Sequence, residues 1–290
     1  MLRHFRNRSL GSLVLAKAVR SSSPSRAGSV EGMTNLTVGN ARISYRTEGS
    51  GPAVVLVHGV GPGSAMWDGW SAALSADHTV ILPDLAGSDP AEDDGSPLTI
   101  EALAAQVNAV IEDAGAGPAD LVGFSLGAPT AAAAAALRPD LVRRLIPVAG
   151  ISHTGDEYVW QLISTWLGLA GDPDAFGRLG TLTSFSPPFL NAIGHEGAEQ
   201  MRAFMQPTDA RLRQLDLVQR LDVRELLPRV EAPTLVIGCT RDQTVPVENH
   251  REFARAIPGA EYAELDTGHV TMMERPDEFA KLVRDFLDRP

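Results

Sequence analysis

The stretch Asp120-Leu121-Val122-Gly123-Phe124-Ser125-Leu126-Gly127 decides the fold. It opens as a short, mainly apolar run, passes through a serine set among small residues, and continues into the alanine-rich segment Ala128 to Leu137. That order reads as strand, sharp turn, helix. A turn of this kind holds the serine hydroxyl at the end of a sheet and aims backbone N–H groups at one point. Small residues on either side let strand and helix approach closely, since a side chain there would hold them apart. Ser125 is therefore a candidate nucleophile.

Three fixed positions in five residues arise by chance, so the reading depends on partners. The architecture demands an acid and then a histidine downstream of the serine. Asp242 follows the apolar run Thr234 to Gly238, within Cys239-Thr240-Arg241-Asp242-Gln243-Thr244-Val245-Pro246. His269 follows the run Ala260 to Leu265, within Asp266-Thr267-Gly268-His269. Each is expected just past the carboxyl end of a strand, where open parallel sheets gather their chemistry. Asp266 is a rival for the acid, but its position suits a strand-end turn. Upstream, Val54-Val55-Leu56-Val57 runs into His58-Gly59-Val60-Gly61-Pro62-Gly63. This glycine-rich turn can offer the backbone N–H of Val60 beside that of Leu126 to a developing oxyanion.

With these four pieces in order, roughly residues 34 to 290 resemble the α/β-hydrolase family. The resemblance implies an α/β fold with a mostly parallel sheet covered by helices on both faces and a helical cap inserted after the sixth strand. It also implies a triad of Ser125, His269 and Asp242, an oxyanion hole from Val60 and Leu126, and no cofactor or metal. The chain has no HExxH, CxxC or GxGxxG pattern. Aspartate-nucleophile members, which open epoxides or displace halide, are set aside because position 125 is serine.

Composition agrees. A chain of 290 residues can bury a large core, and 44% hydrophobic content is ordinary for a globular protein. The net charge is −11, and residues 1–30 hold six Lys/Arg with no acid, leaving 19 basic against 36 acidic residues in the remainder. An acidic body argues against nucleic acid or an anionic membrane as partner. The expected partner is a small molecule with an apolar portion, with a homodimer possible. The single cysteine, Cys239, excludes an internal disulfide. No apolar run has the length of a membrane-spanning helix. Residues 1–32 read as a disordered extension and the protein as cytoplasmic. The Arg- and Ser-rich, acid-free start has an alternative reading as a transit peptide for organellar import.

The remaining pattern alternates strand and helix. Leu36 to Val38 and Ala41 to Arg46 suggest an antiparallel pair turning at Gly39-Asn40. Val54 to His58, His78 to Pro83, Asp120 to Gly123 and Leu145 to Ala149 follow as continuously apolar strands. An amphipathic helix is expected near Met66 to Leu74, another over Ile100 to Ala114, and two more over Val247 to Ile257 and Pro276 to Asp288. More than 80 residues separate Gly150 from Thr234, too many for a simple crossover. Residues 33–150 and 231–290 are thus expected to form the core. Residues 151–230 are expected to form a helical cap (Glu157 to Leu169, Asp174 to Leu182, Gly197 to Met205, Ala210 to Leu221) plus a returning helix at Val223 to Leu227. Its aromatic and methionine side chains imply a roofed, apolar pocket. Trp67, Phe124, His153, Trp160 and Val270 are the expected pocket residues. His58 is expected to brace the glycine turn, Asp84 to be structural, and His195 and His250 to be solvated.

Substrate signals are mixed. The stretch His58 to Trp70 resembles the matching loop of meta-cleavage-product hydrolases, which break a carbon–carbon bond in vinylogous diketones. That subfamily typically has asparagine where this chain has Phe124, and tryptophan where it has Val270. The Gly-Phe-Ser-x-Gly form is closer to esterases, enol-lactonases and cofactor-free haloperoxidase-like members. Hydrolysis of a carboxylic ester or lactone through an acyl-enzyme is the favoured expectation. Carbon–carbon cleavage, ligand binding and biosynthetic cyclisation are the alternatives.

Overall fold

A computed structural model describes residues 32–289. The expected extension falls almost wholly on residues outside that range.

Among the described residues, nine strands form one sheet: β1 Met33–Val38, β2 Ala41–Gly49, β3 Ala53–Val57, β4 Thr79–Asp84, β5 Glu92–Asp93, β6 Ala119–Phe124, β7 Val142–Val148, β8 Leu235–Cys239 and β9 Glu261–Leu265. Their spatial order is β1-β2-β4-β3-β6-β7-β8-β9, with the short β5 pairing off β2. β1, β2 and β4 pair antiparallel, and every contact from β4 through β3 to β9 is parallel. The central strands are buried on both faces: all six residues of β6 and four of the five in β3 are buried. Continuous apolar runs are what such strands require, whereas a half-solvated strand would alternate. Because β3, β6, β8 and β9 run parallel, the segments leaving their carboxyl ends meet along one edge of the sheet.

The helices are α1 Ile100–Asp113, α2 Gly127–Leu137, α3 Glu157–Gly168, α4 Pro173–Ser184, α5 Pro187–Phe204, α6 Asp209–Gln219, α7 Val247–Ala256, α8 Thr271–Glu274 and α9 Pro276–Leu287. α1 starts where Thr99 accepts the Ala102 N–H, and it buries Leu103, Val107, Val110 and Ile111, the expected face. In α2 the six alanines from Ala131 to Ala136 are all buried, and their small volume brings the helix close to the sheet. α9 buries Phe279, Val283, Phe286 and Leu287 along one side.

The insert between β7 and β8 holds α3 to α6, and β7 is the sixth strand if the two-residue β5 is set aside. Three local expectations are corrected. Met66 to Leu74 is not one helix but two 3-10 turns, Gly63–Trp67 and Ser71–Ala73, because Gly69 at φ 84° interrupts it. Val223 to Leu227 is a turn leading into a 3-10 segment, Leu227–Arg229, rather than a returning helix. The helix expected over Gly197 to Met205 starts earlier, at Pro187. Ser186 caps α5 by accepting the Phe189 N–H, and proline is tolerated in a first turn where its N–H would be unpaired. α5 is itself kinked at Gly194, at φ 69°.

Candidate active site

The turn after β6 is built as its residue types require. Ser125 has φ 54°, one of two non-glycine residues with positive φ among the described residues. Its N–H donates to Val148 O at 2.9 Å and its carbonyl accepts the Ala128 N–H at 2.9 Å, so both sides of the turn are anchored. A Cβ on Gly123 would sit 2.2 Å from Gly127 O, and one on Gly127 would sit 2.2 Å from Val57 O. Both glycines are therefore demanded by backbone approach.

Ser125 Oγ lies 2.8 Å from His269 Nε2, and His269 Nδ1 lies 2.6 Å from Asp242 Oδ2. The second Asp242 oxygen accepts the N–H groups of Thr244 and Val245, both at 2.8 Å. With its side chain fully buried and each oxygen occupied, Asp242 meets His269 at Nδ1 and fixes the tautomer of that ring. Nδ1 carries the proton, which leaves Nε2 to accept the serine O–H. The histidine loop is tied to the insert: Val270 N–H donates to Ser184 O at 3.2 Å, and Glu274 accepts from Ser186 N–H and Oγ at 2.7 and 2.6 Å. Asp266, the rival acid, is exposed and occupied by Arg241 and Thr240. Its hydrogen bonds to Arg241 hold its carboxyl below the usual range.

The glycine turn after β3 is braced on several sides. His58 Nε2 accepts the Leu85 N–H at 3.1 Å, so Nδ1 carries the proton and donates to Gly59 O at 2.8 Å. Burial pushes the His58 pKa down, which keeps this neutral form. Asp84 Oδ1 accepts the Ser64 N–H at 2.7 Å, and Gln214 Oε1, reaching down from α6, accepts the Gly61 N–H at 2.8 Å. Between these anchors the N–H of Val60, like that of Leu126, has no protein acceptor among the described residues.

Val60, Leu126, Ser125 and His269 all line one cavity of about 470 Å³. Its walls are mainly apolar: Met66, Phe124, Val270 and Met273 from the sheet side, and Val159, Ile163, Trp166, Phe185, Met201 and Leu215 from the insert. Of the expected pocket residues, Phe124 and Val270 are brought to the wall and three are not. Trp67 is fully buried beside Trp70 and Phe124, with ring centroids 5.6 and 6.4 Å away, while its neighbours Met66 and Asp68 reach the cavity. Trp160 is 43% exposed, because the inward face of α3 runs through Val159, Ile163 and Trp166 at helical spacing. His153 is drawn aside by Glu252, 3.1 Å from its Nε2, and by the Gly155 N–H at Nδ1. His195 is exposed as expected, but His250 is not: it is fully buried, and burial pushes its pKa down to about 4. Its Nδ1 accepts the Cys239 N–H at 3.2 Å, and its Nε2 lies 3.5 Å from Asp242 Oδ2. Gln214 and Arg211 carried no sequence signal, since polar residues on an amphipathic helix normally face water.

No cluster of three or more His, Cys, Asp or Glu side chains among the described residues could hold a metal ion. Nor, among them, is any helix long and apolar enough to cross a membrane.

The family model described as the alpha/beta hydrolase family matches residues 54–282. The chain belongs to the alpha/beta hydrolase family. Within it, this hydrolase is 41% identical over 260 residues to pyrrolizixenacetamide deacetylase of Xenorhabdus hominickii, covering 88% of this chain and 98% of that protein. It is similar to the crystal structure of the enol-lactonase of Burkholderia xenovorans LB400, with a TM-score of 0.78 and 28% identity over 88% of this chain and all of that one. The fold is shared as well with MGS-M2, an alpha/beta hydrolase from a deep-sea metagenome library, at a TM-score of 0.81 and 22% identity over 89% of this chain and 98% of that one. The hydrolase is thus an enzyme whose relatives act on ester and amide bonds.

Proposed function

We propose that this hydrolase cleaves a carboxylic ester or lactone of a small to medium, largely apolar substrate through an acyl-enzyme on Ser125. The observation that carries this is the chain of hydrogen bonds Ser125–His269–Asp242 opening onto a single apolar cavity. In the first half-reaction, Ser125 Oγ attacks the substrate carbonyl carbon while its proton passes to His269 Nε2. Asp242 stabilises the imidazolium that forms. The oxyanion is received by the N–H groups of Val60 and Leu126, each worth about 3–4 kcal/mol in comparable sites. Collapse breaks the bond to the leaving group, which takes the proton from Nε2. Water then gives a proton to His269 and attacks the acyl carbon, and the acid product leaves as Ser125 regains its hydrogen.

A second reading, cleavage of an N-acyl amide, is favoured by the similarity to the Xenorhabdus deacetylase. It uses the same steps with an amine as the leaving group. Carbon–carbon cleavage is less well supported, because the place of the asparagine typical of that chemistry is held by Phe124, whose ring lies 5.0 Å from that of His269.

The test is turnover of a p-nitrophenyl ester series from acetate to octanoate, together with an N-acetyl arylamide, by wild type and Ser125→Ala. Serine-dependent turnover with an optimum chain length is expected, and Ser125→Ala should lose about 10^4-fold or more. Turnover that survives Ser125→Ala, or none at all from folded wild type, would overturn the reading.

A further inference from the structure

Helix α6 places one cation in the wall of the apolar cavity. Arg211 is only 6% exposed, yet it lines the same cavity as Ser125. Its Nη1 donates to Phe204 O and Gln206 O, at 2.9 and 2.7 Å, and so ties down the segment between α5 and α6. The other two nitrogens of the guanidinium have no protein acceptor among the described residues. They lie against the glycine turn: a Cβ on Gly61 would sit 3.0 Å from Nη2 and 3.8 Å from Nε. On the same helix Arg213 pairs with Asp93 and, just past its end, Arg220 pairs with Asp216, but Arg211, more buried than either, pairs with no carboxylate among the described residues. The acid that acts on it electrostatically, Asp89, is exposed and accepts from Thr208 Oγ1.

A buried guanidinium without a counter-ion is costly, and proteins normally resolve that cost by pairing the charge. Here the residue that carries it lines the space where substrate would sit. A planar guanidinium with two free donors suits a carboxylate held by parallel hydrogen bonds. The acidic residue in the cavity wall, Asp68, is exposed and pairs with Arg46, which also pairs with Glu48. We propose that Arg211 makes the cavity selective for substrates bearing a carboxylate, seated beside the Gly59–Gly63 turn with the remaining apolar portion against the insert. This rests on the acyl-hydrolase reading above, and the experiment separates the two.

Two matched pairs of esters test it. The first compares p-nitrophenyl valerate with mono-p-nitrophenyl glutarate, which adds a carboxylate to the acyl side. The second compares 4-carbamoylphenyl butyrate with 4-carboxyphenyl butyrate, which changes the leaving group. Wild type should favour the carboxylate member of at least one pair by about tenfold in kcat/KM, the scale of a charge-assisted hydrogen bond. That ratio should collapse towards one in Arg211→Gln and be partly retained in Arg211→Lys. A wild-type ratio near one in both pairs, or a preference that survives Arg211→Gln, would overturn the proposal. Should Arg211→Gln fail to fold, wild type decides alone. Glutarate or 4-hydroxybenzoate must then inhibit more strongly than its monoamide, with inhibition weakening as salt rises, and equal inhibition overturns the proposal. If no ester in either pair is hydrolysed, the acyl-hydrolase reading has failed. Calorimetric binding of glutarate and 4-hydroxybenzoate to Ser125→Ala, with and without Arg211→Gln, then still reads the carboxylate site.

Discussion

Asp242 and Asp266 both precede His269 in sequence, and their surroundings give them different work. Asp242 is buried, with one oxygen on His269 and the other on two backbone N–H groups, whereas Asp266 spends its charge on Arg241 at the surface. Asp242→Asn would present an amide to Nδ1 and favour the wrong tautomer, so kcat should fall by roughly 10^3–10^4-fold. Asp266→Asn should change kcat by less than about twofold, since exposed ion pairs contribute little. Steady-state kinetics of the two variants, with circular dichroism to confirm folding, decide between them, and the reverse ranking would refute the assignment. At this scale the meeting of Ser125, Asp242 and His269 was legible because their order along the chain is itself a constraint. Gln214, Arg211 and His250 were not, because their importance comes from what the fold brings to them. Trp160 misled because aromatic content marks a helix as amphipathic without saying which face turns inward.

The elements show how backbone proximity dictates composition. β6, the Ser125 turn and α2 fit only because Gly123 and Gly127 carry no side chain, and α2 then meets the sheet through alanines. Gly127→Ala would drive a Cβ into the carbonyl of Val57 at the end of β3. Overpacking of this kind costs about 1–3 kcal/mol or more, and here the strand end it displaces carries the glycine turn. Urea denaturation should show a loss of about that size, accompanied by a drop in kcat larger than the loss of folded protein explains. A wild-type midpoint and turnover in Gly127→Ala would show that the contact relaxes freely. The central parallel strands were readable from their apolar runs, and α1 from its apolar spacing. The segment from Gly63 to Ala73 was not, since its apolar spacing resembles a helix while Gly69 takes a conformation that a continuous helix does not allow.

At the scale of the molecule, two histidines of the described residues, His58 and His250, are stored uncharged. Burial lowers the pKa of both His58 and His250, the latter to about 4, against about 6.5 in an unfolded chain. Between those values the unfolded chain takes up protons that the folded one refuses, so stability must fall as pH drops from about 6.5 towards 4. Above that window these two residues make no difference to the pH profile. His250 alone accounts for about 3 kcal/mol of the change once pH is below its folded value. Calorimetry from about pH 4 to 8 should therefore show a steeper acid-side decline of Tm in wild type than in His250→Gln, and parallel curves would refute this. The fold class was legible from the whole chain because four motifs had to fall on parallel strand ends, whereas burial of a surface-like histidine on α7 left no trace in the pattern. The bond from Gln214 to the Gly61 N–H has one more consequence. A helix of the roof fastens the turn proposed to offer Val60 to the oxyanion, so a change in the one is felt by the other. Libraries that randomise α6 to recruit new substrates will alter the machinery along with the specificity. A roof borrowed from a relative must arrive with its own fastening residue.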